Sequence, residues 1–183
     1  MLDDGYRMLR QARHRAVLSC YEYWLRARDR SGRLLPGRQH LDPAEMAGFL
    51  PYVALYDIVR DGVYQRFRMR LIGSHFEEVL GRDVTGMYIE HMGWLEIFDD
   101  LYRRFSTVTD EKVAAYGVSA SPAKQLHFID YEHLTLPLAT DGEAVDMLFG
   151  VRCALPNAAM AASHGYATAP LVDPSAKGQK LSC

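Results

Sequence analysis

The pattern of apolar and polar positions between residues 52 and 73 predicts a β-hairpin. Apolar residues alternate with arginines from Arg66 to Leu71, and a period of two places one face of a strand in the core and the other outside. Asp61-Gly62 lies between this run and an earlier extended run, and this dipeptide is typical of hairpin turns. We therefore expect strands at about 52–60 and 64–73.

Helical spacing of apolar residues predicts a helix on each side of the hairpin. The first covers about His14 to Arg28, and its apolar stripe is formed by Val17, Leu18, Tyr21, Trp24 and Leu25. The second covers about Trp94 to Val108, with Arg103 and Arg104 expected on its outer side. A short helix is expected from Ser74, because Ser74 and Glu77 fit a capping box and Gly81 fits a helix end.

The second half of the chain predicts three further strands joined by hairpins. They are expected at about 112–119, 126–138 and 144–155, with a turn at Asp141-Gly142. We expect residues 1–41 to be a flanking helix and linker, residues 42–155 a single α+β domain, and residues 156–183 a low-complexity tail.

The order of these elements predicts one five-stranded antiparallel sheet. A first hairpin, then helices, then a three-stranded meander closes most simply in the spatial order 2-1-5-4-3, with the helices gathered on one face. The N-terminal helix would flank this sheet. Its stripe is too apolar to be left in water, so it either covers the second face within its own subunit or pairs with a second copy.

The chain resembles a PAS domain protein, of a subfamily common in alphaproteobacteria in which the domain is nearly the whole chain. The matching phrases span about Tyr21 to Leu155: YEYWLRARD, LLPGRQHLDPAEM, FLPYVALYDI, FRMRLIGSHFEEVLGRDVTGM and YEHLTLPLATDGEAVDMLFGV. The resemblance implies a sensor or adaptor that binds a signalling partner protein, is often dimeric, and sometimes holds a small ligand between sheet and helices. It implies no catalytic activity and no particular cofactor.

On this basis we expect a mostly apolar pocket and a dimer contact through the N-terminal helix. The pocket is expected to be lined by Met69, Phe76, Tyr88, His91, Phe98, Ser119, Met147 and Phe149. The dimer contact is expected at Val17, Tyr21, Trp24 and Leu25. Because PAS proteins often use a flanking helix in this way, we favour a homodimer, with packing inside one subunit as the alternative.

Specific cofactor chemistry finds little support in the sequence. A flavin photoreceptor would need a cysteine between His75 and Met92, and none is present. His91 could reach a haem, but a loop position is the simpler interpretation. His127 and His133 share a strand face yet lie about 20 Å apart at the usual rise, so we expect no metal site.

Two alternatives remain open. The row Arg66, Arg68 and Arg70 could pair with acids on an outer face, which we favour, or it could bind an anion or a partner. The chain could also be a small α+β pocket enzyme with a fold like that of nuclear transport factors. In that case Asp57 or Asp130 would be the catalytic acid.

Composition excludes several classes of protein. The 183 residues include 21 basic and 23 acidic residues, a formal net charge of −2, so nucleic acid is not an expected partner. Neither a signal peptide nor a membrane-length apolar run is visible. The three separated cysteines favour a reducing cytoplasm.

Overall fold

The computed structural model describes residue 9 and residues 12–62, 64–93, 97–120, 129–156 and 179–181. The α-helices whose bounds are described are α1 at Arg15–Ser31, α2 at Ser74–Leu80 and α3 at Phe98–Glu111. The strands are β1 at Val53–Asp61, β2 at Tyr64–Ile72, β3 at Ala114–Ala120, β4 at Ile129–Leu138, β5 at Met147–Pro156 and β6 at Gln179–Leu181. Short 3₁₀ helices lie at Arg38–His40, Pro43–Met46, Leu50–Tyr52 and Ile89–His91.

The sheet is antiparallel and its order is β2-β1-β5-β4-β3, as predicted, with the short β6 added beside β3. The first hairpin closes at Gly62, whose positive φ of 61° favours glycine. β2 carries a bulge, because Leu55 pairs with Leu71 whereas Tyr56 pairs with Met69. The extra residue on β2 is Arg70.

Both faces of the sheet are covered by helices, which explains why the central strands are almost continuously buried. α3 lies on one face, called the inner face here, where Phe105 contacts Tyr56 at 4.7 Å and Phe67 at 5.2 Å between ring centroids. α1 lies on the opposite, outer face, where Tyr23 approaches Phe149 at 6.4 Å.

The packing of α1 corrects the expected dimer contact. Val17, Tyr21, Trp24 and Leu25 are all buried inside the subunit, and Trp24 has no exposed surface. The indole Nε1 of Trp24 donates a hydrogen bond to the Pro137 carbonyl on β4 at 2.9 Å. The apolar stripe of this helix is therefore satisfied by its own sheet, and these side chains do not form an exposed surface for a second copy.

The ends of the short helix α2 can be compared with the prediction residue by residue. The N-cap of α2 is Gly73, one residue before the Ser74 that the capping box predicted. Ser74 is instead the first residue of the helix. The carbonyl of Gly73 accepts from the backbone N–H groups of Phe76 and Glu77. Gly81 ends the helix with a φ of 66°, as predicted.

Several sequence-based expectations fall outside the described residues. These are the start of the second long helix at Trp94, the His127 position, the first residues of the fourth predicted strand and most of the 156–183 tail. Within the described part of the chain, no helix is long and apolar enough to span a membrane.

Candidate functional site

A small cavity lies between the inner face of the sheet and α3. Its volume is about 20 Å³, enough for a group about the size of a water molecule. Strands β1, β4 and β5 form its floor and α3 forms its roof. Its polar lining residues are Tyr56, Arg104, His133, Thr135 and Arg152.

The alternation of side chains along the strands brings two of these residues together. His133 on β4 and Arg152 on β5 are direct cross-strand partners, so their side chains lie side by side on one face. Both are at least 95% covered, with exposed fractions of 5% and 4%. The neighbouring Gly150 also lines the cavity, and a Cβ there would clash with the Leu134 carbonyl.

Arg104 reaches the same place from the helix above. Its Nη1 lies 2.7 Å from Nε2 of His133, a hydrogen bond in which the guanidinium can only donate. His133 therefore accepts through Nε2. The Arg104 side chain is partly covered as a whole, but its Nε atom is entirely buried and makes no hydrogen bond with a described residue.

Aromatic rings surround the second guanidinium. The Arg152 Cζ atom lies 4.5 Å from the ring centre of Tyr131 and 5.1 Å from that of Phe76. Such ring contacts stabilise a cation through the negative face of the ring. These contacts hold the guanidinium of Arg152 between β4 and α2.

The surroundings of Arg104, His133 and Arg152 disfavour positive charge on these side chains. Burial is the main cause that lowers the pKa of Arg104 to about 9, and the nearby Arg152 lowers it further. Burial also lowers the pKa of Arg152. The pKa of His133 falls well below its usual range, first through burial and then through the two arginines, against a small opposing effect of its own backbone carbonyl. At neutral pH the histidine is neutral while both arginines remain charged.

No aspartate or glutamate is among the described residues that line the cavity. The guanidinium of Arg104 thus lies at the cavity without a carboxylate among the described lining residues. Buried charges are normally paired or bound to an ion. We call Arg104, His133 and Arg152 the inner-face cluster.

The structure separates the eight residues predicted for the pocket. Met69 and Phe76 are buried on the inner face, next to the cavity. Met147 and Phe149 point from β5 toward α1 on the outer face, although Phe149 also contributes to the cavity lining. Phe149 thus lines the cavity as expected, whereas Met147 is not among its lining residues.

The remaining predicted pocket residues are not in the cavity. Tyr88 lies beside β2, where Arg66 sits over its ring at 3.8 Å. His91 is exposed, Phe98 is half-buried at the first turn of α3, and Ser119 is half-buried on β3. None of these four is among the lining residues.

Most of the lining is apolar, as expected, with Ala54, Phe105, Leu134 and Val151 among it, but Arg104 lies on the inner side of its helix and not on the outer side as predicted. The spacing of Arg104 from Leu101 and Val108, three and four residues away, could have placed it beside the buried stripe. Arg152 stands between buried Val151 and Cys153 on β5. A cation within such a run indicates a buried position.

The arginine row on β2 is paired with acids, as favoured. Asp57 accepts from Arg68 at 2.9 Å and from Arg70 at 3.1 Å, and Glu90 accepts from Arg66 at 2.6 Å. Asp57 is thus engaged on the sheet surface. Neither Asp57 nor Asp130 is among the cavity-lining residues, so the acid required by the enzyme alternative is not found there.

Cysteine and metal chemistry add no further site in the described part of the chain. Cys20 and Cys153 are free and buried, and burial raises the pKa of Cys153 to about 12, so these thiols have the character of core residues. No group of three histidine, cysteine or acidic side chains among the described residues could hold a metal ion.

The fold is that of a small α+β domain: an antiparallel sheet in the order 2-1-5-4-3, with helices over an internal cavity. The sequence model of the PAS domain family matches residues 12–153. The chain belongs to the PAS domain family, and the match includes the N-terminal helix. No curated protein and no solved structure gives a significant match.

Proposed function

We propose that this chain is a PAS sensor or adaptor, which binds a small ligand in the inner-face cavity and passes its occupancy to a partner protein. Family membership supports a sensory or signalling role. The observation that carries the proposal is the pair Arg104 and His133, whose buried Nε and Nδ1 atoms make no hydrogen bond with a described residue, because structural cores seldom retain such atoms. Such atoms are more readily explained by a ligand than by a contribution to stability.

α3 offers a route from the cavity to the surface. On its inner side it carries Arg104, whereas its outer side lines a shallow depression of about 470 Å³ with Asp99, Arg103 and Asp110 among its polar residues. A ligand that moves Arg104 would move the helix, and the outer side would move with it. We propose that the partner protein contacts this outer side of α3.

A catalytic role is the weaker proposal. The enzyme alternative needs an acid facing the cavity, and the described lining residues include none. We propose a non-catalytic protein of the cytoplasm, where buried free thiols such as Cys20 persist. A homodimer, if formed, would use a surface other than the apolar stripe of α1.

The proposal is tested with the full chain and two matched variants. Arg104→Gln changes the cavity, and Arg103→Gln changes the adjacent exposed arginine on the same helix. A panel of small anionic, neutral and cationic metabolites is first screened by thermal unfolding. Any stabilising compound is then followed by hydrogen exchange, which we expect to slow in α3, β4 and β5.

The partner is tested by proximity labelling in cells that express each variant. We expect Arg104→Gln to change the labelled proteins, and Arg103→Gln either to match the unchanged chain or to weaken labelling without altering its ligand dependence. The sensor role is wrong if no compound of any charge stabilises the protein. It is also wrong if Arg104→Gln labels the same proteins to the same extent as the unchanged chain.

A further inference from the structure

The two sides of the sheet are protected to different degrees against pairing with another chain. β2 lies at one edge, and it carries three arginines and a bulge. The loop after α2 also covers this edge, since the backbone of Met69 donates to the Met87 carbonyl and accepts from the Gly86 N–H. Charges, bulges and a covering loop are the devices by which proteins keep an edge strand from pairing with other chains.

β3, on the opposite side of the sheet, lacks charges and bulges. It reads AAYGVSA, with neither a charged residue nor a proline, and its register with β4 is regular. The three-residue strand β6 pairs with Ala114, Ala115 and Tyr116. No described strand lies beside residues 117–120 on that side. We call residues 117–120 the open edge of β3.

The backbone of the open edge has the hydrogen-bonding groups that an added strand needs. In an antiparallel pair, alternate residues direct both their N–H and their C=O toward the same neighbour. β4 pairs with all four residues from the other side, so alternate residues of the open edge direct their N–H and C=O groups away from β4. These groups face the position that one more strand would occupy.

The side chains of the open edge define the kind of segment that fits. Val118 is 44% exposed and lies on the outer face, because it pairs directly with Glu132. Its neighbours Gly117 and Ser119 are small and alternate to the inner face. They match an extended segment that has an apolar β-branched residue beside Val118 and short polar residues before and after it.

We propose that β3 is a strand-addition site for a partner protein, whose extended segment joins the sheet antiparallel along Ala114–Ala120 and displaces β6. The pairing of β6 shows the direction and register that β3 accepts. Backbone hydrogen bonds supply most of the affinity, and the residue beside Val118 supplies selectivity. The inference goes beyond the proposed contact on α3, and it does not depend on a ligand in the inner-face cavity.

Two synthetic peptides test the site by titration into the ¹⁵N-labelled full chain. The peptide TTVTQKL keeps the residues of β6 and extends them, so that in the register of β6 its valine lies opposite Val118. In the control TPPTQKL, two adjacent prolines remove an N–H that faces β3 in any register. We expect only TTVTQKL to shift the amide resonances of residues 114–120 with saturation and to slow hydrogen exchange at the open edge.

Two matched variants locate the site, each with a lysine in place of an exposed apolar side chain. Val118→Lys changes the open edge, whereas Leu71→Lys changes a 37% exposed side chain on β2. We expect Val118→Lys to weaken binding of TTVTQKL about tenfold or more, and Leu71→Lys to bind it like the unchanged chain. Because β6 occupies part of the same strand, Gln179→Pro combined with Lys180→Pro should bind the peptide more tightly.

The inference fails if TTVTQKL leaves the resonances of residues 114–120 in place, a result that needs no variant. Equal binding of TTVTQKL and TPPTQKL also contradicts it, as does an equal loss of binding in Val118→Lys and Leu71→Lys. If sedimentation shows a dimer of the unchanged chain that Val118→Lys separates, the open edge belongs to a second copy, and its assignment to a partner protein is wrong.

Discussion

The two faces of the sheet are both buried, but the polar groups on them differ in whether they have hydrogen-bond partners. On the outer face, under α1, the polar side chains have partners within the chain. Trp24 donates to the Pro137 carbonyl, and the hydroxyl of Tyr23 accepts from the backbone N–H of Asp42 at 2.6 Å. On the inner face, under α3, the buried Nε of Arg104 and Nδ1 of His133 make no hydrogen bond with a described residue.

Two adjacent residues of β4 show the contrast most clearly. Glu132 faces the outer side and is fully buried, yet it accepts from the backbone N–H groups of Arg13 and His14 at 2.8 and 2.7 Å and from the Tyr116 hydroxyl at 2.6 Å. This carboxylate anchors the start of α1. His133 faces the inner side, where the neutral ring accepts a hydrogen bond from the charged Arg104.

The difference indicates that the two faces of the sheet have different roles. A face with satisfied polar groups contributes to stability and to a unique structure. A face with unsatisfied buried donors is expected where function requires it. We therefore expect α1 to contribute mainly to stability, and we propose that binding involves α3 and the inner face.

Trp24→Ala should have the largest effect on stability. Trp24 has no exposed surface, so removing the ring should lower the free energy of unfolding by about 3–5 kcal/mol. Denaturant unfolding measures this change. Trp24→Phe, which keeps most of the volume but loses the bond to Pro137, should be intermediate. If sedimentation shows that Trp24→Ala separates a dimer without loss of stability, the helix belongs to a subunit interface and the assignment of α1 is incorrect.

Glu132→Gln should have the next largest effect. An amide offers one acceptor oxygen where the carboxylate offers two, so at least one buried donor loses its partner. The expected loss in the free energy of unfolding is about 1–3 kcal/mol. Glu143→Gln is the matched control on an exposed turn and should change stability by less than about 0.5 kcal/mol. Equal effects of the two changes would show that Glu132 does not anchor α1.

Acid should weaken the inner face through His133. Its pKa is lowered in the folded protein, so the unfolded chain binds a proton first as the pH falls. Stability is therefore full above about pH 6.5 and declines below it, by about 1 kcal/mol between pH 6.5 and 5.5. His14, whose pKa burial also lowers, contributes a change of the same sign.

The contribution of His133 is isolated with His133→Gln. Chemical unfolding at several pH values should show a shallower acid decline for this variant than for the unchanged chain. The same decline in both proteins would mean that His133 is accessible to protons in the folded state. The inner face would then be better hydrated than described.

Sequence patterns predicted the architecture well because local chemistry determines it. Asp61-Gly62 defines the hairpin and the meander follows from the later strands, so the strand order was predictable. Which helix covers each face of β5 was not predictable. A period of two shows that Met147 and Phe149 share a face, but it does not show which helix covers that face.

The candidate site was harder to predict for a related reason. The arginines that stand out in the sequence, on β2, are neutralised by Asp57 and Glu90. The arginines that matter, Arg104 and Arg152, are separated by 48 positions and look like ordinary surface residues in isolation. Only the tertiary structure shows that α3 brings one of them over the other.

The central proposal is that the cavity under α3 binds a small ligand beside Arg104. The most direct measurement is the side-chain Nε–H resonance of Arg104 in ¹⁵N-labelled protein, assigned with Arg104→Gln, during titration with each compound that stabilises the protein. We expect this resonance to shift and saturate, while the resonance of Arg103 does not move. An Arg104 resonance that is unaffected by every stabilising compound would contradict the account.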